Sequence, residues 1–416
     1  MAEQWSTGFD DRAVVMTRSD PLFRFVILYS ALFSAFGFAS PFLPAFIASR
    51  GLAPDALGLV LGAATAVRLI SGTLTGRLAD RFQAFRVTLM ICALIASAAT
   101  LAYVPIHGFW TIAALSLLHA AALAPLVPLA DALTLANAGV ARTGGGRGFE
   151  YGWVRGAGSA AFIAGAIVAG QAASRFDLSA IIWLSAAGLL AAAMCALVVP
   201  AFPRSAATVA EAKRGTDHAW RLLLRQRAFV CVTVVAALVL GSHAMHDSFA
   251  VIRWTASGIG TATTGLLWSE SVAAEVVVFL VIGPWLLRVL GPTGALAVAA
   301  ACGVLRWVVM ALTVEVAVLA MIQPLHGFTF ALLHLACMRI ITAAVPSALA
   351  GTAQAVYGLI GVGGATALLT IFSGWLYGRF GADGFWIMAL LCGLAFPVIR
   401  MLQNALAMPD AAARYS

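Results

Sequence analysis

Two carboxylates lie inside an apolar run that extends from about Thr263 to Pro284. They are Glu270 and Glu275, and every other residue of the run is uncharged. A carboxylate at the depth of a bilayer is costly unless it is paired, neutralised or in contact with water, so it is a candidate for proton or ion coupling. Five residues separate the two, which places them about 140° apart around a helix. We predict that Glu275, near the middle of the run, couples protons, whereas Glu270 is hydrated or paired nearer the outer end.

Two arginines occupy comparable mid-span positions, Arg68 and Arg306. A guanidinium at that depth needs a partner or water. Either of them can hold a carboxylate substrate through a two-pronged hydrogen bond. The alternative is an internal pair, for example between Arg306 and Glu275, and the sequence leaves both interpretations open.

A third group of ionisable residues lies in one apolar span that holds His243, His246 and Asp247. The two histidines are three residues apart and share a helix face. Two histidines make an incomplete transition-metal site, so we predict no metal centre. Hydrogen bonding or proton relay by His243 is the preferred hypothesis, because histidine titrates near physiological pH.

Two further histidines, His326 and His334, are eight residues apart in a later span. Eight residues are close to two helical turns, which predicts that both side chains lie on one face. A single cavity collecting them with Glu275 is one hypothesis. Ordinary hydrogen bonding between helices is the alternative.

The composition defines the setting of these residues. Hydrophobic residues make up 62% of the 416-residue chain and charged residues only 10%, against roughly 25% charged residues in soluble domains. The mean hydropathy is +0.97. These values indicate an integral membrane protein. The net charge of +8 is explained by topology and by attraction to anionic lipids, and no nucleic-acid partner is needed.

Apolar stretches of about 20 residues, the length that crosses a bilayer, occur repeatedly, so we predict an all-α membrane protein with twelve spans. They lie near residues 22–47, 55–78, 85–104, 109–135, 148–171, 178–200, 226–251, 262–285, 293–314, 316–342, 348–377 and 382–406. The polar stretch 201–225 divides them into two six-helix bundles, 22–200 and 226–406, with tails at 1–21 and 407–416. Arginine and lysine accumulate on one side of this arrangement, which predicts that both termini are cytoplasmic.

The loop after the second span contains Gly76, Asp80, Arg81 and Arg86. This spacing resembles the loop motif of the major facilitator superfamily. The resemblance implies that Asp80 caps a neighbouring helix, where the helix dipole favours an acid, and pairs with arginines as a cytoplasmic latch. A solvated loop that only directs topology is the alternative.

A series of short motifs narrows the resemblance. In order they are Ser40-Pro41-Phe42-Leu43-Pro44, Pro128-Leu129-Ala130-Asp131, Tyr151-Gly152-Trp153-Val154-Arg155 with Gly158-Ser159, Gly241-Ser242-His243, Gly265-Leu266-Leu267-Trp268 with Glu275, Arg306-Trp307, Gln323-Pro324-Leu325-His326 with His334, and Gly374-Trp375-Leu376-Tyr377. Together they are similar to the phenylpropionate permease family of bacterial inner-membrane proton symporters. Glu275 and His243 match family positions, whereas Glu270 and the pair Gly156-Ala157 depart from the pattern.

Asp131 and Arg155 belong to the motifs near the cytoplasmic ends of the fourth and fifth spans. A structural ion pair or a gate is the preferred interpretation for these two residues.

The sequence thus predicts a monomeric secondary transporter of a bacterial inner membrane. We expect it to import a small, aromatic organic acid with protons by alternating access, using the proton gradient and no cofactor. Motifs of hydrolases, P-loops, zinc proteases and dinucleotide sites do not occur in suitable contexts, so an enzyme is not predicted. The alternatives are a proton-driven drug or metabolite efflux antiporter, or an importer of nucleosides, sugars or metals.

Overall fold

The computed structural model describes residues 21–143, 149–201 and 219–407, and the regular structure in these ranges is entirely helical. The α-helices are α1 Pro21–Ala39, α2 Leu43–Ser49, α3 Pro54–Phe82, α4 Phe85–Ala102, α5 Phe109–Leu123, α6 Leu126–Thr143, α7 Tyr151–Arg175, α8 Ser179–Val198, α9 Ala219–Arg225, α10 Arg227–Gly241, α11 His243–Ala256, α12 Thr261–Val277, α13 Gly283–Leu312, α14 Val316–Ile322, α15 Leu325–Gly327, α16 Leu333–Ala344, α17 Ala350–Val356, α18 Ala365–Phe380 and α19 Gly384–Ala407. Three π-helical segments join some of them, at Val278–Ile282, Phe328–Leu332 and Tyr357–Gly364.

Ten helical stretches in the described part of the chain are long and apolar enough to cross a membrane. Two of them, Thr261–Leu312 with 52 residues and Ser347–Ala407 with 61, far exceed the ~20 residues that one crossing needs. Gly291 (φ 68°) and Gly381 (φ 56°) interrupt these two stretches. Positive φ is inexpensive for glycine, and the regular helical backbone is broken at one such glycine in each long stretch.

The first predicted span, 22–47, is not one continuous helix. α1 ends at Ala39 and α2 begins at Leu43. Proline lacks a backbone N–H and disfavours helical backbone in the residue before it, so Ser40 and Pro41 form a turn.

The helix predicted over 148–171 covers Tyr151–Arg175 instead, and Gly148 lies outside the described residues. Most of the two predicted tails and residues 202–218 of the predicted linker also lie outside them. The last seven residues of that linker form α9.

Helices from the two predicted bundles meet at one end of the molecule through pairs of glycines. α3 packs against α18, where a Cβ on Gly374 would lie 2.8 Å from the Cα of Gly58. α7 packs against α12, where a Cβ on Gly265 would lie 3.2 Å from the Cα of Gly170. Glycine permits this close backbone approach. We call this region, around these four glycines, the closed end.

Glycines towards the opposite ends of α3 and α7 do not make such contacts. Gly76 of α3, Gly152 and Gly156 of α7, and Gly358 all have open space where a Cβ would lie. We call this region the open end. A cavity lies between the two sets of helices.

Candidate functional site

The cavity between the two sets of helices has a volume of about 520 Å³, within the range of small-molecule sites. Its wall is largely apolar. Four charged residues line it, which are Arg68 from α3, Asp247 from α11, Glu275 from α12 and Arg306 from α13. The predicted coupling residues are therefore brought together by helices from both halves of the chain.

Arg306 is the buried centre of a polar cluster in the second half. Its side chain is fully buried. Nη1 lies 3.1 Å from Nδ1 of His326, and Nη2 lies 3.4 Å from Nε2 of His246. Nη2 also donates to Oε1 of Gln323 at 2.9 Å. A buried guanidinium requires such partners. Arg306 thus holds these three side chains together.

Each of the two histidines connects Arg306 to a carboxylate at the cavity wall. Nε2 of His326 lies 3.6 Å from Oε2 of Glu275, and Nδ1 of His246 lies 3.1 Å from Oδ1 of Asp247. Glu275 and Arg306 therefore do not form the direct pair that the sequence left open. An imidazole stands between them.

These contacts fix the tautomers of both neutral rings. A guanidinium has donors and no acceptor, so the ring nitrogen that faces Arg306 must accept. His326 then carries its proton on Nε2, towards Glu275, and His246 carries its proton on Nδ1, towards Asp247. A second proton on either ring would remove its bond with Arg306.

Aromatic rings hold the histidines in place. The ring of His246 stacks on Trp268 at 5.0 Å between centroids, and His326 stacks on Phe330 at 5.6 Å. Trp268 and Phe330, together with Phe162 of α7, also line the cavity. Flat apolar walls of this kind suit an aromatic ligand.

Arg68 differs from Arg306 in its exposure and in its partners. Its side chain is exposed, it lines the cavity, and it makes no hydrogen bond or ion pair with the residues that the structure describes. An accessible guanidinium without a partner is available to an anionic ligand.

Polar residues that were not predicted from the sequence line the cavity beside Arg68, in the first half of the chain. Nε2 of His119 lies 3.1 Å from Oγ1 of Thr100, and Tyr103 donates to Ser116 at 2.9 Å. His119 and Ser116 line the cavity. The signal available in the sequence was a histidine within an apolar run, the same signal that selected His243.

Two predicted site residues do not line the cavity. His334 is partly buried and is not part of the cavity wall. Glu270 shares a helix face with Leu266 and Val277, both 50% exposed, and faces away from the cavity. His243, in contrast, lines the cavity as predicted.

The loop motif does not form the implied latch in this conformation. Asp80 is exposed in the last turn of α3, not at a helix N-terminus, and makes no ion pair within the described ranges. Arg81 lies 5.8 Å from the ring of Phe82. Arg86 donates to the carbonyl of Val199 at 3.4 Å. Val199 directly follows α8, and the dipole at a helix C-terminus favours a positive charge. Gly76 faces open space at the open end.

Asp131 lies in a hydrogen-bonded cluster that joins α1, α6 and α7. Its Oδ1 accepts hydrogen bonds from the hydroxyls of Tyr29 and Tyr151, the latter at 2.8 Å. Nη1 of Arg155 is 4.0 Å from the same oxygen. All four residues belong to the first half of the chain, which favours the structural interpretation over a gate between halves.

Comparison with known proteins assigns the chain to a family. The model of the MFS_1 like family matches residues 22–388. The chain belongs to this family. It is 33% identical over 375 residues to a "Probable 3-phenylpropionic acid transporter" of Escherichia coli (strain K12), across 87% of this chain and 93% of the relative. It is also 24% identical over 385 residues to the maltose permease of Geobacillus stearothermophilus, covering 91% and 93%.

The fold of this family member resembles solved transporters. The crystal structure of the nucleoside transporter NupG matches with a TM-score of 0.79 at 16% sequence identity, covering 94% of this chain and 100% of the other. The protein is therefore a multi-pass membrane protein and a secondary transporter of the major facilitator type.

Proposed function

We propose that this transporter imports a small aromatic monocarboxylate together with protons. The observation that carries the proposal is the accessible, unpaired guanidinium of Arg68 in a cavity lined by aromatic rings. The Escherichia coli relative is a probable 3-phenylpropionic acid transporter, which supports the same class of substrate.

Arg68, and not Arg306, binds the substrate carboxylate in this proposal. All the hydrogen-bonded partners of Arg306 are protein side chains, so recruiting it would break a buried cluster. The N–H donors of Arg68 make no hydrogen bond with any described residue. Its planar group can hold both oxygens of a carboxylate at once.

The balance of charge supports coupling to a proton. Two arginines and two carboxylates line the cavity, so their formal charges cancel. A monoanion entering alone would leave one negative charge at bilayer depth, which is costly. A proton bound to Glu275 restores neutrality. His326 contacts Glu275.

The topology belongs to the same proposal. Twelve crossings follow if each of the two long stretches crosses twice at its glycine break. Both termini are then cytoplasmic, the open end faces the cytoplasm, and the protein works as a monomer in a bacterial inner membrane. The basic residues of the loops support this orientation.

Uptake into proteoliposomes tests the function. With the lumen more alkaline than the medium, labelled 3-phenylpropionate should accumulate, and a protonophore should abolish the accumulation. Arg68→Met should raise the Kd at least about thirtyfold, because losing a charge-assisted pair costs about 2 kcal/mol. Arg379→Met, which alters an exposed arginine away from the cavity, is the matched control. Expulsion of the acid by the same gradient would contradict the proposal in favour of efflux, and absence of binding would reject the substrate class.

A further inference from the structure

The face of α11 that lines the cavity carries polar groups without partners. His243 and Asp247 are four residues apart, one helical turn, and both line the cavity. Residues at this spacing lie one above the other on a helix. The two side chains therefore present one polar strip to whatever occupies the cavity.

Asp247 offers a free hydrogen-bond acceptor. Its side chain is 52% exposed, and Oδ1 accepts from His246. Oδ2 has no hydrogen-bond partner within the described ranges, and no arginine or lysine there pairs with the carboxylate. An ionised carboxylate only accepts, so a ligand at this position must supply a donor.

His243 is an unpartnered imidazole. Its side chain is only 4% exposed, and its buried Nε2 has no hydrogen-bond partner among the described residues. The ring packs against Trp307 at 5.3 Å and His326 at 5.1 Å between centroids, so its position is fixed. Buried polar groups in native proteins are normally satisfied. The imidazole thus borders the cavity with one ring nitrogen unsatisfied.

We propose that the transported acid carries a hydroxyl group on its aromatic ring, and that Asp247 and His243 bind this hydroxyl. A hydroxyl donates one hydrogen bond and accepts others, so it can donate to Asp247 while accepting from His243. An ammonium group could satisfy only Asp247, and a second carboxylate would be repelled by it. This inference rests on the proposed function, in which Arg68 holds the carboxylate.

The two polar positions belong to opposite halves of the chain. Arg68 comes from α3, whereas His243 and Asp247 come from α11. A ligand that is charged at one end and hydroxylated at the other contacts both halves at once. The cavity volume of about 520 Å³ accommodates a substituted ring and its acid chain.

Binding measurements on the purified protein at fixed pH test the inference. We expect the meta- or para-hydroxylated derivative of 3-phenylpropionate to bind about tenfold more tightly than the unsubstituted acid, the effect of one net hydrogen bond in a buried site. In Asp247→Ala and in His243→Phe, the ratio of the two dissociation constants should fall towards one. Glu270→Ala, which alters a carboxylate outside the cavity, should keep the ratio of the unaltered protein.

The outcomes separate this inference from the proposed function. Equal binding of hydroxylated and unsubstituted acids by the unaltered protein would overturn the inference while leaving the proposed function intact. A preference that persists in both variants would also overturn it. If no aromatic acid binds at all, both fail together. The comparison within the unaltered protein needs no variant, so it decides the question even if a substitution prevents folding.

Discussion

Arg68 and Arg306 show what a sequence reveals about single residues at bilayer depth and what it does not. Both were selected because a guanidinium within an apolar span needs a partner. Only the fold distinguishes them, since the partners of Arg306 come from α11, α15 and the turn at Gln323. The charged cavity residues could therefore be predicted from the sequence. The different roles of Arg306, which binds other side chains, and Arg68, which is proposed to bind the ligand, could not.

Glu275→Gln is the sharpest single substitution in the proton-binding cluster. Glutamine keeps the size of the side chain and can still accept from His326, but it cannot bind and release a proton. We expect exchange of labelled for unlabelled acid across the membrane to persist. Accumulation against a gradient should fall to a ratio of about one, whereas one coupled proton supports about tenfold accumulation per pH unit.

Glu270→Gln is the matched control, because Glu270 lies outside the cavity on the same helix. It should retain full accumulation. Uphill uptake by Glu275→Gln, measured in the same proteoliposomes, would rule out Glu275 as the coupling carboxylate.

At the scale of helices, the all-helical character of the chain was predicted from the sequence, and the irregularities of the helices were not. The Ser-Pro pair at residues 40–41 carried a local signal for a turn, but the surrounding apolar residues masked it. The π-helical segments have no comparable signal, because an extra residue in a turn depends on packing with other helices.

The glycine contacts between helices make a prediction at this scale. A Cβ on Gly374 would lie 2.6 Å from the carbonyl oxygen of Pro54, so Gly374→Ala should separate α3 from α18. If the substitution destabilises the closed end by about 1.4 kcal/mol, the equilibrium between this conformation and one with that end open shifts about tenfold towards the latter. Spin labels at Leu52 and Ala382 would detect a longer distance across the closed end.

Gly156→Ala provides the comparison, because a Cβ there meets open space. Its distance distribution should match that of the unaltered protein. An unchanged distribution in Gly374→Ala would mean that this glycine contact does not hold the end closed.

At the scale of the whole molecule, the proposed orientation depends on the basic loops. In a variant without its native cysteines, Ser174→Cys near the end of α7 and Asn404→Cys near the end of α19 should lie on opposite sides of the membrane. An impermeant maleimide added to intact cells should label the first and reach the second only after permeabilisation. Labelling of both in intact cells would contradict the odd number of crossings that the proposed topology places between these two positions.

The closed end has a pharmacological consequence. In this conformation the glycine pairs Gly58–Gly374 and Gly170–Gly265 bring two helix pairs into backbone contact, so a bulky competitor can reach Arg68 only through the open end. Its potency should therefore depend on the compartment to which it is supplied. With the open end facing the cytoplasm, as proposed, a poorly permeant blocker would be weak outside the cell and effective once delivered to the cytoplasm.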